Sequence, residues 1–235
     1  MYKLGLAVFG LIGVLFTLCA AGCAVDDGPC PVPRIVADID TDGDGVLDAD
    51  DIVAGARPEA DRKTRYSAAY YPGGYPPDGE GACTDVVWRA MRAAGHDLKA
   101  LVDADIADDP EDYPRVAGNP DPDIDFRRVP NLVVFFSKYG ESLTCDVRPG
   151  DAENLAAWQG GDIVVFGRPL EHIGIVSDRR RRDGVPFLIH NAGPHATEAD
   201  VLTSWPTRIT HHFRYPPART QLPGIPVQQK NRPRD

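Results

Sequence analysis

Gly161-Asp-Ile-Val-Val-Phe-Gly-Arg-Pro-Leu-Glu-His-Ile-Gly-Ile-Val-Ser-Asp-Arg-Arg-Arg-Arg-Asp-Gly-Val-Pro-Phe-Leu-Ile-His190 is the stretch that decides the fold. A turn glycine leads into Ile163 to Phe166, four apolar residues that suit a buried strand. His172-Ile-Gly-Ile-Val176 is a second apolar run, Arg179 to Gly184 makes a turn, and Val185 to His190 returns. Four arginines followed by Asp183-Gly184 read as an exposed hairpin tip rather than a basic patch. His172 opens one strand and His190 closes the next, so a hairpin makes them neighbours. A last strand is expected at 209–215. Upstream, Val86, Val87, Ala90, Met91 and Ala94 form one apolar stripe over 83–95, with Gly95 as a stop. Helices are likewise expected at 50–60, 98–106 and 129–139, the last carrying Leu132, Val133, Phe135 and Phe136. Residues 64–82, with four tyrosines, read as an ordered aromatic loop, and the Asp-rich run to 126 reads as a solvated surface loop. Helices first and antiparallel strands afterwards make an α+β domain.

The ends read differently. Lys3 is the only charge before Asp26, and Leu4 to Leu18 is an apolar run of signal-peptide length. Ala20, Ala21 and Gly22 precede Cys23, as before an acylated cysteine, so 1–22 reads as a signal peptide and Cys23 as a lipidation site. Simple cleavage nearby or an uncleaved anchor are the alternatives, and all three export the chain to the periplasm or cell envelope. Residues 23–37 form a tether, 38–58 an Asp-rich loop and short helix, 59–217 the main domain, and 218–235 a Pro- and Gln-rich tail expected to be disordered. The net charge of −10 excludes a nucleic-acid role that needs a basic surface. Of five cysteines, Cys19 leaves with the signal and Cys23 carries lipid. In an oxidising compartment Cys30 and Cys145 are expected to pair, leaving Cys83 free.

Asp40, Asp42 and Asp44 sit at positions 1, 3 and 5 of an EF-hand-like calcium loop, with Gly45 at the sharp turn. Val46 takes the carbonyl position, Asp48 position 9 and Asp51 position 12, where the motif wants Glu. Alternate carboxylates and one carbonyl converge on a hard cation, so a structural calcium is expected. A solvated acidic linker is the alternative.

Cys83 stands where the aromatic loop becomes a helix. The first N–H groups of a helix lack internal partners and carry partial positive charge, which pushes a thiol toward thiolate and can stabilise an oxyanion. One of His172 and His190 can take the thiol proton while the other orients it. Zinc is disfavoured, because neither Cys-x-x-Cys nor His-Glu-x-x-His occurs.

Cys83-Thr-Asp-Val-Val, Gly161-Asp-Ile-Val-Val-Phe, His172-Ile-Gly-Ile-Val and Ile189-His190 follow the order seen in the NlpC-type superfamily of papain-like cell-wall peptidases. More closely, Thr64 to Tyr215 resembles a bacterial family known as domain of unknown function 1287. Tyr71-Pro-Gly-Gly, Arg127-Arg-Val-Pro-Asn-Leu132, His172-Ile-Gly-Ile-Val-Ser-Asp178 and His190-Asn191 carry that match. The superfamily resemblance implies a papain-like fold with N-terminal helices packed on an antiparallel sheet. It implies Cys83 as nucleophile, His172 as base and His190 as the orienting residue, with Asn191 a rival for that third role. It also implies an oxyanion-assisting tyrosine, for which Tyr66, Tyr70 and Tyr71 are candidates. The implied reaction is amide hydrolysis in peptidoglycan peptides without a catalytic cofactor. An acyltransferase or protein amidase on the same scaffold, or a non-catalytic envelope-binding lipoprotein, are the competing expectations. Where NlpC-type motifs place an Asp before the Cys, this chain has Ala82, and Asp85 follows instead.

Overall fold

The computed structural model describes residues 28–116 and 118–217. The signal, lipidation-site and tail assignments lie outside these residues. Five α-helices precede or punctuate a six-stranded antiparallel sheet: α1 (Asp48–Asp61), α2 (Cys83–Ala93), α3 (Leu98–Asp108), α4 (Val129–Tyr139) and α5 (Ala152–Leu155). The sheet runs β3 (Glu141–Ser142), β8 (Ile209–Arg214), β4 (Ile163–Phe166), β5 (His172–Arg180), β6 (Pro186–His190) and β7 (Thr197–Ala199), in that order. Two short strands, β1 (Arg65–Tyr66) and β2 (Glu80–Gly81), pair in parallel beside α2.

Alternation divides the sheet between two cores. Ile163, Val165, Ile173, Ile175 and Ile189 pack with α1–α4, joined by Val86, Val87, Ala90, Met91, Phe135 and Phe136. Val164, Phe166, Val176 and Leu188 pack on the other face with Leu155, Trp158 and Leu202. Each central strand is buried on both sides, which explains its continuous apolar sequence. The α1–α2 contact is close because residue 55 is glycine: a Cβ there would lie 2.4 Å from Ala93 Cβ.

Several expectations change on contact with the fold. The acidic stretch from α3 onward is not uniformly solvated. Asp105 is buried and accepts hydrogen bonds from Tyr113, Tyr139 and Lys138. Asp125 is buried and accepts the Asp121 N–H at 2.6 Å and Arg128 at 2.7 Å. The arginine turn is exposed at Arg179 and Arg182, as expected, while Arg180 reaches the carbonyls of Gly184 and Trp158 and Arg179 bonds Glu198. Cys30 and Cys145 are both free thiols, so the expected disulfide is not formed. Cys30 N–H bonds Arg182 O at the β5–β6 turn, and the stretch after Cys145 returns to that turn through Gly150 N–H on Asp183 O.

Candidate functional site

The loop-to-helix junction before α2 is set by Asp85. Its Oδ2 accepts the Ala82 N–H at 2.6 Å, so a side chain in the first turn caps the helix on which Cys83 is the first residue. The same carboxylate takes two bonds from Arg127, Nε at 2.8 Å and Nη2 at 2.9 Å, and one from Trp88 Nε1 at 2.8 Å. Arg127 Nη1 reaches Ala69 O, and Thr84 Oγ1 donates to Arg127 O. Asp85 is therefore a buried strut holding the Cys83 turn to the aromatic loop.

Cys83 is half-buried, and its sulfur lies against β5, where the Ile173 N–H points at it. That N–H is available because the β5–β6 ladder begins only at Ile175↔Ile189. Beyond His190 the chain bends away, and Asn191 turns inward. Its Nδ2 donates to Thr64 O at 3.0 Å and Gly81 O at 2.8 Å, and its Oδ1 accepts from Gly193 N–H. Asn191 thus spends its amide on the backbone and takes no part with His172. Desolvation pushes the thiol up to about 11, outweighing the N–H groups of Ile173 and Thr84 that favour the thiolate. The expected push toward thiolate is overturned: burial beats the helix terminus here.

His172 and His190 meet as the hairpin requires. His172 Nε2 and His190 Nδ1 are 2.9 Å apart. The alternation that sends Ile173 and Ile189 to the helices turns both imidazoles to the opposite face. There Trp205, whose position no sequence pattern signals, stacks on His172 at 4.4 Å and stands edge-on to His190 at 5.5 Å. Gly174 lies between them, and a Cβ there would stand 3.1 Å from His190 Cβ. Desolvation pushes His172 down to about 3, with a further contribution from His190, and His190 down to about 4. Both rings are neutral at pH 7. If His172 Nε2–H donates to His190 Nδ1, then His172 Nδ1 is the lone pair left for a proton. No hydrogen bond joins either ring to Cys83 Sγ; the sulfur is seated one residue along, at Ile173.

The three tyrosines separate. Tyr70 bonds Asp121 and Asp123, and Tyr71 bonds Ser67 and Glu80 beneath Arg127. Tyr66 is the one that senses Cys83: burial pushes its pKa up, disfavouring the phenolate, and the charges of Cys83 and Asp85 add to this.

The model of the family described as domain of unknown function (DUF1287) matches residues 53–215. The chain belongs to this family. Over 172 residues it is 42% identical to the uncharacterized protein YijF of Escherichia coli (strain K12), a match covering 70% of this chain and 80% of that protein. No solved structure matches the chain. Cys83, His172 and His190 all fall inside the DUF1287 segment, and so does the Ser177-Asp178 pair. That pair is structural: Ser177 bonds Glu198, and Arg57 of α1 bonds Asp178.

The Asp-rich loop precedes the DUF1287 segment. Asp40, Asp42 and Asp44 offer carboxylate oxygens within 4.8 Å of one another. Gly43 and Gly45 adopt φ of 76° and 95°, letting both N–H groups reach the Asp40 carboxylate at 2.7 and 2.9 Å. Burial first, and then the nearby carboxylates of Asp44, Asp42, Asp48 and Asp40, push the pKa of Asp51 up, and its Oδ2 is buried with no partner among the described residues. Asp48 departs from the expected ligand set. It is buried, and its carboxylate accepts Thr41 N–H and Oγ1 at 2.7 Å and meets His96 Nε2 at 2.8 Å. It ties the loop to the end of α2 instead of facing the cluster.

Proposed function

We propose that the chain is an exported, lipid-anchored cysteine hydrolase with a papain-like, NlpC-type arrangement, cleaving an amide bond in peptidoglycan peptides. The observation that carries this is the His172–His190 bond on paired strands, placed where β5 offers its free Ile173 N–H to a thiol on the first residue of a helix. Cys83 Sγ attacks the carbonyl carbon, and the thiol proton passes to His172 Nδ1 around the end of β5, since the ring faces away from the α2 side and shares no hydrogen bond with the sulfur in this structure. The N–H of Cys83, at the start of α2, and the Tyr66 hydroxyl stabilise the oxyanion. His172 then protonates the leaving nitrogen, the C–N bond breaks, and water hydrolyses the thioester. His190 accepts the Nε2–H bond and keeps the ring oriented, a role that Asn191 lacks the free amide to fill. Purified peptidoglycan digested with the protein and read by mass spectrometry tests this. Release of new peptide ends that Cys83→Ala abolishes supports the reading. Equal release by that variant refutes it, and transfer to an added amine instead of water identifies an acyltransferase. No reaction on any substrate, with Cys83→Ala still binding peptidoglycan, identifies an envelope-binding protein.

A structural calcium in the Asp-rich loop is supported by the buried, unpartnered Asp51 Oδ2 beside three convergent carboxylates. Asp40, Asp42, Asp44 and Asp51 with the Val46 carbonyl form the ligand set, and Asp48 is outside it. Calcium should raise Tm in chelator-treated protein, and Asp42→Asn should remove most of that rise. An unchanged Tm refutes the site.

A further inference from the structure

An open cavity of about 340 Å³ is lined by Arg115, Arg128, Val129, Pro130 and Glu171. It adjoins the candidate site by two separate routes. Glu171 is the residue before His172. Arg128 follows Arg127, whose carbonyl holds Thr84 Oγ1, the residue after Cys83. The cavity is thus joined through the backbone to the start of β5 and, through Arg127 and Thr84, to the start of α2.

Its charges are arranged by sign. Arg128 is fixed by Asp125 Oδ1 at 2.7 Å and by Arg115 O at 2.5 Å, so one guanidinium is pre-positioned. Arg115 is exposed, and its guanidinium makes no hydrogen bond or ion pair among the described residues. Its backbone N–H is anchored to Asn131 Oδ1 at 3.3 Å. Val129 begins α4, whose first turn adds a positive partial charge to the same wall. Glu171 supplies the one carboxylate, steadied by Arg168 Nε at 2.9 Å. In a chain of net charge −10, a wall carrying two arginines is a local inversion of sign.

We propose that this cavity is a substrate subsite for an amphoteric peptide residue, one presenting a free carboxylate to Arg115 and Arg128 and a free ammonium to Glu171. This rests on the hydrolase reading for its substrate, but binding can be tested without turnover. An arginine–carboxylate pair is charge-assisted and suits a planar carboxylate, which a neutral amide does not replace.

The experiment uses the full chain carrying Cys83→Ala, so that no bond is cut. Calorimetric affinity is measured for the tripeptide Ala-γGlu-Lys as the free acid, as its C-terminal amide and as its Nε-acetyl form. The free acid is expected to bind about tenfold more tightly than the amide. Adding Arg115→Gln should remove that preference while leaving Tm unchanged, since the replaced guanidinium makes no bond among the described residues. Adding Glu171→Gln should remove the preference over the Nε-acetyl peptide. Equal affinities for acid and amide, a preference that survives Arg115→Gln, or no binding of the free acid would each overturn the subsite. Peptidoglycan digestion by the wild-type chain, run in parallel, reports separately on the hydrolase reading.

Discussion

Replacing Asp85 with Ala is the sharpest perturbation of the setting of Cys83. The Asp85 side chain is 0% exposed and that of Arg127 is 2% exposed, so neither charge has water to fall back on. The substitution removes both Arg127 bonds, the acceptor of Ala82 N–H and the acceptor of Trp88 Nε1. Stripping one partner from a buried pair costs about 3–5 kcal/mol, and each orphaned neutral donor adds roughly 1 kcal/mol. The total, about 5–7 kcal/mol, rivals the whole stability of an ordinary domain. Asp85→Asn keeps the shape and acceptors for part of the network, so it should lose about 2–3 kcal/mol and remain folded. Urea denaturation followed by tryptophan fluorescence measures both, and Arg127→Leu completes a double-mutant cycle. The double variant should be more stable than Asp85→Ala alone, because it no longer buries an unpaired guanidinium. A loss below about 1 kcal/mol in Asp85→Ala, or additive single losses, would refute the strut.

Other outcomes follow from the same contacts. Burial holds the folded-state values of His172 and His190 at about 3 and about 4, below the unfolded value. The unfolded chain therefore binds more protons below about pH 6.5; stability is fully present above that pH and falls by about 3–6 kcal/mol by pH 4. Replacing both rings with Gln should flatten this acid limb in urea melts; a limb of unchanged depth would sink the assignment. With its thiol pushed up to about 11, Cys83 should alkylate with iodoacetamide more slowly than a free thiol at pH 7, and its rate should climb through pH 10 without a plateau. A plateau by pH 8 would show a stabilised thiolate instead. Gly55→Ala should cost about 1–3 kcal/mol, because the added methyl meets Ala93 across the α1–α2 contact; an unchanged Tm would show that the helices can part freely.

Periodicity made most of the architecture readable. The helix at 129–139 and the strand at 163–166 lie where the sequence puts them, and the remaining long elements differ only at their ends. The short pieces β3, β7 and α5 carry too few residues for a pattern and are held by their neighbours. The meeting of His172 and His190 was legible because a hairpin's register is local. What was not legible depends on burial. The sequence marks Cys83 as the first residue of a helix, which argues for a low thiol value, but not the β5 edge and loop packed over it. Asp48 satisfies the calcium-loop spacing, yet its carboxylate goes to Thr41 and His96, a partner 48 positions away. Trp205 and Asn191 sit in loops, where no repeat announces which backbone or ring a side chain will meet.

The protonation states constrain how such a site works. An exposed thiolate–imidazolium pair is reactive before substrate arrives and open to oxidation. Here the thiol is held up near 11 and both imidazoles are held down near 3 and 4, so the resting site is uncharged throughout. Under the proposed hydrolase reading, charge would appear only as the carbonyl is attacked, with proton transfer to His172 accompanying the S–C bond rather than preceding it. A neutral His190 as the third residue fits that economy: it orients the ring without placing a fixed negative charge that would draw the proton over early. Replacing His190 with Asp would supply that charge. It should raise His172 toward the ordinary imidazole range and let Cys83 alkylate faster at pH 7, and it should slow amide hydrolysis if the uncharged resting state is what the fold is built to hold. Faster alkylation together with faster hydrolysis would show that the thiolate is limiting and that burial at this site is a cost rather than a device.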